Sequence, residues 1–175
     1  MRRLAIGLVW GALWVSCLAD PYAYLHWREV PAGHSGGAGI IFTALGGGGI
    51  GGYPVEYYGS VQFAQDSGGA MFFAPSFDAY RSPSVSNQPL MGDLIAPDGD
   101  SGHQLVFPFA VPRLAFHIVS LGDGGTPVWY VFDRPFTLVS EGTGAYGTGV
   151  LDQIDSHTVE GYEGHGTLDR KSTRL

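Results

Sequence analysis

The stretch 113–140, RLAFHIVSLGDGGTPVWYVFDRPFTLVS, gives the clearest indication of the fold. Apolar side chains recur along 113–121 and 128–133 in short runs rich in Val, Ile, Phe and Tyr, which is typical of β-strands. Between them lies GDGGTP, whose Asp123-Gly124 step suits a tight turn. The stretch therefore predicts two strands joined as a hairpin.

Both faces of the first of these strands are apolar. Phe116 and Ile118 lie on one face, and Val119 and Leu121 lie on the other, beside His117. Because both faces can be buried, we expect a central strand. We also expect His117 to be a buried, hydrogen-bonded histidine rather than a metal ligand.

Similar short runs, separated by turn residues, recur about every ten residues along the chain. Further strands are predicted at 39–45, 55–64, 70–74, 105–111, 136–140 and 149–154, with a short one around 90–96. No run of a dozen residues keeps a helical period, and 28 glycines and 11 prolines interrupt the chain too often for helices. The sequence predicts an all-β fold, a single antiparallel β-sandwich that is jelly-roll-like.

The N-terminus has the features of a secretory signal. Arg2 and Arg3 precede the apolar run 4–15, and small residues up to Ala19 fit a cleavage site. Residues 1–19 are therefore predicted to form a signal-peptide helix that is removed on export. The only cysteine lies in this segment, so the mature domain must be stabilised by its apolar core rather than by disulfides.

The predicted domain, residues 20–168, is strongly acidic. It holds four arginines, no lysine and fifteen Asp or Glu, a formal charge of −11. This charge disfavours nucleic acid and anionic membrane surfaces as partners. Neutral polysaccharide or divalent cations remain compatible with it, and solubility alone is the simpler explanation.

Two glycine motifs suggest chemistry that their surroundings do not support. Gly47, Gly49 and Gly52 match the dinucleotide fingerprint, but a strand rather than a helix is predicted to follow, so we expect a flexible loop. GHSGG at 33–37 matches a nucleophile elbow, but it lacks the strand and helix that such an elbow joins.

The loop DGDSGH, 98–103, carries two candidate sites. Its GDSG resembles the nucleophile motif of chymotrypsin-like serine proteases, which makes Ser101 the centre of a distant alternative, a serine hydrolase. Asp98 and Asp100 could present oxygens to calcium, although two acidic residues in a turn are more often turn formers.

Aromatic residues offer a third kind of site. Tyr53, Tyr57, Tyr58 and Trp129 could stack on sugar rings, which makes a carbohydrate-binding module the main alternative function. Alternation places Trp129 and Tyr130 on opposite faces of their strand, so at most one of them belongs to such a platform. Filling of the core is the competing explanation for most of these rings.

Three segments within 107–168 resemble exported bacterial β-sandwich proteins that usually carry a PEP-CTERM-type sorting signal. They are LAFHIVSLGDGGTPVWYVFDRPFTLVS (114–140), GTGAYGTGVL (142–151) and VEGYEGHGTL (159–168). The resemblance implies an all-β protein of the cell envelope or extracellular matrix and carries no catalytic residues to transfer. The sorting signal itself does not occur in this sequence.

The last seven residues, DRKSTRL at 169–175, differ in character from the acidic domain, and they contain the only lysine. They resemble a translated sequencing adapter. We therefore expect the native sequence to be interrupted near Leu168, with the strand there cut short and a later strand missing. Any membrane contact would run through a C-terminal anchor that is also missing.

The sequence thus predicts an exported protein of the cell surface or matrix with a non-enzymatic structural or adhesive role. Extracellular polysaccharide or envelope components are its expected partners. No cofactor is expected, apart from the option of calcium.

Overall fold

The computed structural model describes residues 25–29, 37–45, 49–65, 69–86, 88–89, 94–97, 102–108 and 113–171. Within these residues the protein is all-β, as predicted, and contains no helix. No helical segment in this part of the chain has the length and apolarity that a membrane span requires. The predicted signal peptide, 1–19, lies outside the described residues.

The described residues form twelve strands in four sheets. In chain order they are β1 (Leu25–Glu29), β2 (Gly37–Leu45), β3 (Gly49–Tyr58), β4 (Val61–Gln65), β5 (Leu94–Pro97), β6 (Gln104–Val106), β7 (Arg113–Leu121), β8 (Val128–Val131), β9 (Thr137–Glu141), β10 (Val150–Gln153), β11 (Thr158–Tyr162) and β12 (Gly164–Lys171). The sheet orders are β1-β2-β3-β6, β10-β11-β8, β7-β12-β9 and β4-β5, and all these strand pairs are antiparallel.

The two three-stranded sheets share one hydrophobic core, as the layers of a β-sandwich do. The sheet β7-β12-β9 contributes Ile118 and Leu168, and the sheet β10-β11-β8 contributes Leu151 and Val159. Leu121 at the end of β7 and Phe136, just before β9, complete the buried cluster. Leu151, Val159 and Leu168 expose none of their surface, so their burial stabilises the contact between the two sheets.

The predicted hairpin is wrong, although its strands and its turn are right. β7 has the predicted bounds, and Asp123 N–H donates to the Thr126 carbonyl at 3.1 Å in the turn. However, β7 pairs with β12 and β8 pairs with β11, so the turn joins two sheets rather than two neighbouring strands. Ser120 and Gly122 have φ values of 57° and 76°, and this left-handed backbone turns the chain out of the sheet β7-β12-β9.

β12 is the central strand of its sheet, and β7, which was expected to be central, lies at the sheet's edge. β12 pairs with β7 as far as Lys171 and with β9 as far as Asp169. The strand therefore continues three residues beyond Leu168, where it was expected to be cut short. That residues 169–175 are not native stays a prediction.

Three other expectations differ from the structure. The strand predicted at 55–64 is divided at Gly59 into β3 and β4. Residues 70–74 form a turn whose Phe72 and Phe73 are buried, so their apolar character reflects packing and not strand pairing. Gly49, like the glycines after it in the dinucleotide-like motif, lies in β3 and not in a loop.

Candidate functional site

An irregular segment, the strap (residues 71–85), covers the outer face of the sheet β7-β12-β9. Its Phe73 and Tyr80 form a buried aromatic pair with ring centroids 5.0 Å apart, and both rings lie 5.8 Å from the ring of His117 on β7. The carboxylate of Asp78 fastens the strap to the loop after β9 by accepting the Thr143 N–H at 2.9 Å.

Beneath the strap lies a polar layer on the outer face of this sheet, and the strap removes it from solvent. Its members come from three neighbouring strands and are His117, Ser140, His165, Thr167 and Asp169. His165, Thr167 and Asp169 alternate along β12 and are at most 2% exposed. Because successive residues point to opposite faces of a strand, the same alternation sends Leu168 into the core of the sandwich.

The hydrogen bonds of His165 define its tautomer. Its Nδ1 lies 3.0 Å from the Tyr80 hydroxyl and accepts the backbone N–H of Ser120 at 3.2 Å. A backbone N–H can only donate, so Nδ1 is unprotonated and the neutral ring carries its proton on Nε2. Nε2 is buried and has no hydrogen-bond partner among the described residues. Gly144 allows this fit, since a Cβ there would lie 2.2 Å from Nδ1.

A second chain of hydrogen bonds joins His117 to the strap. The hydroxyls of Thr167 and Ser140 both donate to the Ala79 carbonyl, at 3.2 and 2.6 Å. His117 Nδ1 lies 2.9 Å from Thr167 Oγ1. Because the proton of the Thr167 hydroxyl is engaged by Ala79, the His117 Nδ1–H is the donor. The prediction that His117 is hydrogen-bonded is confirmed, with its ring partly rather than fully buried.

Burial keeps both histidines neutral. It lowers the pKa of His117 to about 4. Burial also lowers the pKa of His165, although the Glu163 carboxylate opposes that change. Burial raises the pKa of the Tyr80 hydroxyl. Near pH 7 the two histidines of the polar layer and Tyr80 of the strap are therefore uncharged, and their hydrogen bonds suit the layer to holding the strap in place.

Replacing Tyr80 by phenylalanine should lower the free energy of unfolding by about 1 kcal/mol, because His165 Nδ1 loses its hydroxyl partner in a buried setting. Tyr146→Phe is the matched control: its ring stacks on His165, whereas the Tyr80 ring meets His165 edge-on, and Tyr146 is 52% exposed. We expect the control to change stability by a few tenths of that amount. Equal urea denaturation curves for Tyr80→Phe and wild type would contradict the prediction.

The opposite side of the sandwich presents a different surface. In the sheet β10-β11-β8, Leu151 and Val159 point into the core, so their neighbours Asp152 and Glu160 point outward. The outward side is called the Trp129 face, and its members are Trp129, Val131, Val150, Asp152, Glu160 and Tyr162. Trp129 is 54% exposed and Val131 is 75% exposed, so this side is an exposed apolar surface that contains two carboxylates.

Of the four aromatic residues proposed as a sugar platform, the structure describes the side chains of Tyr57, Tyr58 and Trp129, and they do not share one surface. Trp129 and Tyr58 are exposed, and the Tyr58 hydroxyl donates to Glu56 at 2.6 Å. Tyr57 is buried, with its hydroxyl 2.6 Å from His103 Nδ1, and burial raises its pKa to about 12. Its ring is therefore unavailable to a ligand, which corrects its assignment. Tyr53 lies in β3, and its side chain is outside the described residues.

Comparisons with protein-family models, with curated proteins and with solved structures found no match to this chain.

The calcium and serine hydrolase candidates belong to the loop 98–103. Asp98, Asp100 and Ser101 lie outside the described residues, so the calcium and serine hydrolase hypotheses stay predictions. In the part of the chain that is described, no three His, Cys, Asp or Glu side chains gather as metal ligands would.

Proposed function

We propose that this protein is an exported, non-enzymatic adhesive component of a bacterial cell envelope or extracellular matrix, and that it binds an extracellular polymer through the Trp129 face. The observation that carries the proposal is the exposure of Trp129 in the middle of a regular strand. An exposed tryptophan beside exposed valines leaves apolar surface in water, which is typical of a surface that binds a partner.

The polar layer supports a non-enzymatic role. Its two histidines are engaged with hydroxyls and a backbone N–H, and the strap covers them. Catalysis by a general acid or base requires a group that titrates near the working pH and reaches a substrate. A histidine whose pKa has been lowered to about 4 and which faces a covering segment serves stability better than catalysis.

Export and the envelope or matrix location rest on the sequence. The signal-like residues 1–19 and the resemblance over 107–168 support them. The acidic composition fits a protein that works outside the cell beside neutral polymers, because it disfavours nucleic acid and anionic lipid as partners.

Replacing Trp129 by alanine should weaken retention on the recognised polymer about tenfold or more, since exposed aromatic anchors dominate binding surfaces. The measurement is affinity electrophoresis of the purified protein through gels that contain extracellular polysaccharides. Tyr58→Ala removes a ring of similar exposure, 52%, from another sheet and is the matched control. Equal retention of Trp129→Ala and wild type would reject the proposal, and a loss confined to Tyr58→Ala would move the site to β3.

A further inference from the structure

The Trp129 face has an internal order that the sheet register fixes. Trp129 on β8 lies opposite Glu160 on β11, which lies opposite Asp152 on β10. Neighbouring strands are about 4.8 Å apart, so this row spans roughly 10 Å across the sheet. Tyr162 follows Glu160 on the same face and lies diagonal to Trp129, within reach of a ligand that covers the indole.

The row combines two chemistries side by side. The indole of Trp129 offers a flat apolar surface, and the carboxylates of Glu160 and Asp152 are acceptors only. Among the described residues, neither carboxylate has a hydrogen-bond or ion-pair partner. A ligand that fits must therefore have an apolar flat side and hydroxyl or N–H donors along its edge. A sugar ring has this combination, because its C–H groups form one side and its hydroxyls project at the rim.

The charges of the face decide between classes of polymer. The segments 127–131, 150–154 and 158–162 contain two acidic residues and no lysine or arginine. An anionic polymer would be repelled by both carboxylates. An apolar protein surface would bury them without a compensating charge, which is strongly unfavourable. A neutral ligand with many hydroxyls avoids both costs.

We infer, on the basis of the proposed function, that the Trp129 face binds a neutral polysaccharide, with a sugar ring stacked on Trp129 and sugar hydroxyls donating to Glu160 and Asp152. These two carboxylates are then the groups that determine specificity, and Tyr162 extends the stacking surface.

The test is affinity electrophoresis of the full chain in gels that contain a neutral glucan (hydroxyethylcellulose, dextran or laminarin), the anionic polymer alginate or the cationic polymer chitosan. We expect retention by at least one neutral glucan that is unchanged between about 50 and 500 mM salt, because no charge pair forms. Glu160→Gln and Asp152→Asn should each weaken it about tenfold, since a hydrogen bond to a carboxylate is stronger than one to an amide. Glu141→Gln, on β9 of the other sheet, should leave it unchanged.

The possible failures differ. Retention only by alginate or chitosan that Trp129→Ala abolishes would overturn the neutral class and leave the proposed function standing. A dimer in light scattering that Trp129→Ala dissociates would show that a second copy covers the face, which overturns the inference. Retention by no glucan also overturns it. Retention by a neutral glucan that Trp129→Ala does not change would reject both proposals. Thermal melting of each variant confirms that a loss of retention is not a loss of folding.

Discussion

Replacing Leu168 by alanine is expected to lower the free energy of unfolding by about 3 kcal/mol, the middle of the range for a leucine removed from a close-packed core. Leu168 exposes none of its surface, and β12, which carries it, pairs with a strand on each side. Its side chain packs in the cluster shared by both layers, with Leu151 and Val159 from the other sheet. The cavity would therefore open between the layers, where neighbouring strands cannot close over it.

Equilibrium denaturation in urea measures this change, and Val131→Ala is the matched control. Val131 is 75% exposed, so its truncation should alter stability by no more than about 0.5 kcal/mol. The comparison also tests whether the chain around Leu168 belongs to the folded domain. A Leu168→Ala variant as stable as the control would show that β12 does not form the centre of its sheet.

Local features of the sequence predicted the described strands well where packing and pattern agree. The run 113–121 forms β7 with the predicted bounds, because its branched and aromatic side chains favour an extended backbone and each face has somewhere to pack. Opposite orientations of Trp129 and Tyr130 also follow from alternation, and Trp129 is exposed whereas Tyr130 packs against the core.

Pairing could not be read from the same features. Ser120 takes a left-handed backbone conformation, which a serine in the sequence does not predict. This turn directs β8 into another sheet. The run 70–74 has the composition of a strand, but Phe72 and Phe73 fill the space under the strap and make no sheet pairing there. In both cases contacts between residues distant in sequence overrode the local preference.

The candidate sites show the same contrast between local features, which the sequence predicts, and strand pairing, which it does not. Alternation around Leu151 and Val159 would have marked Asp152 and Glu160 as outward residues, and this signal was missed. Their alignment with Trp129, however, depends on the register between β11 and β8, which are distant in sequence. The polar layer was even harder to predict from the sequence. His117 and Thr167 are 50 residues apart and meet only because β7 pairs with β12.

Acidification from pH 7 to pH 5 should lower the free energy of unfolding by roughly 2 kcal/mol through His117 alone. Burial places its folded pKa at about 4, below the ordinary value of 6.5. As the pH falls through 6.5, the unfolded chain takes up the proton first. Stability is therefore full above pH 6.5 and is lost progressively down to pH 4. His165, whose pKa is also lowered, adds to the loss, and the opposing Glu163 carboxylate limits its share.

The polar layer gives this dependence a structural meaning. A proton on His165 Nδ1 would face the Ser120 N–H, so that two donors meet where a hydrogen bond had been, and the bond to Tyr80 would have to reverse. The strap should therefore loosen before the sandwich core does.

His117→Gln keeps an N–H donor for Thr167 and removes the titrating ring, so its urea denaturation midpoints between pH 7 and 5 should fall less steeply than those of wild type. The hydrogen bond from the His157 backbone N–H lowers the pKa of the Asp155 carboxyl, so this group titrates on the acid side of the histidine window. Identical slopes for wild type and His117→Gln would mean that water reaches His117 beneath the strap, and that the polar layer does not hold its histidines neutral.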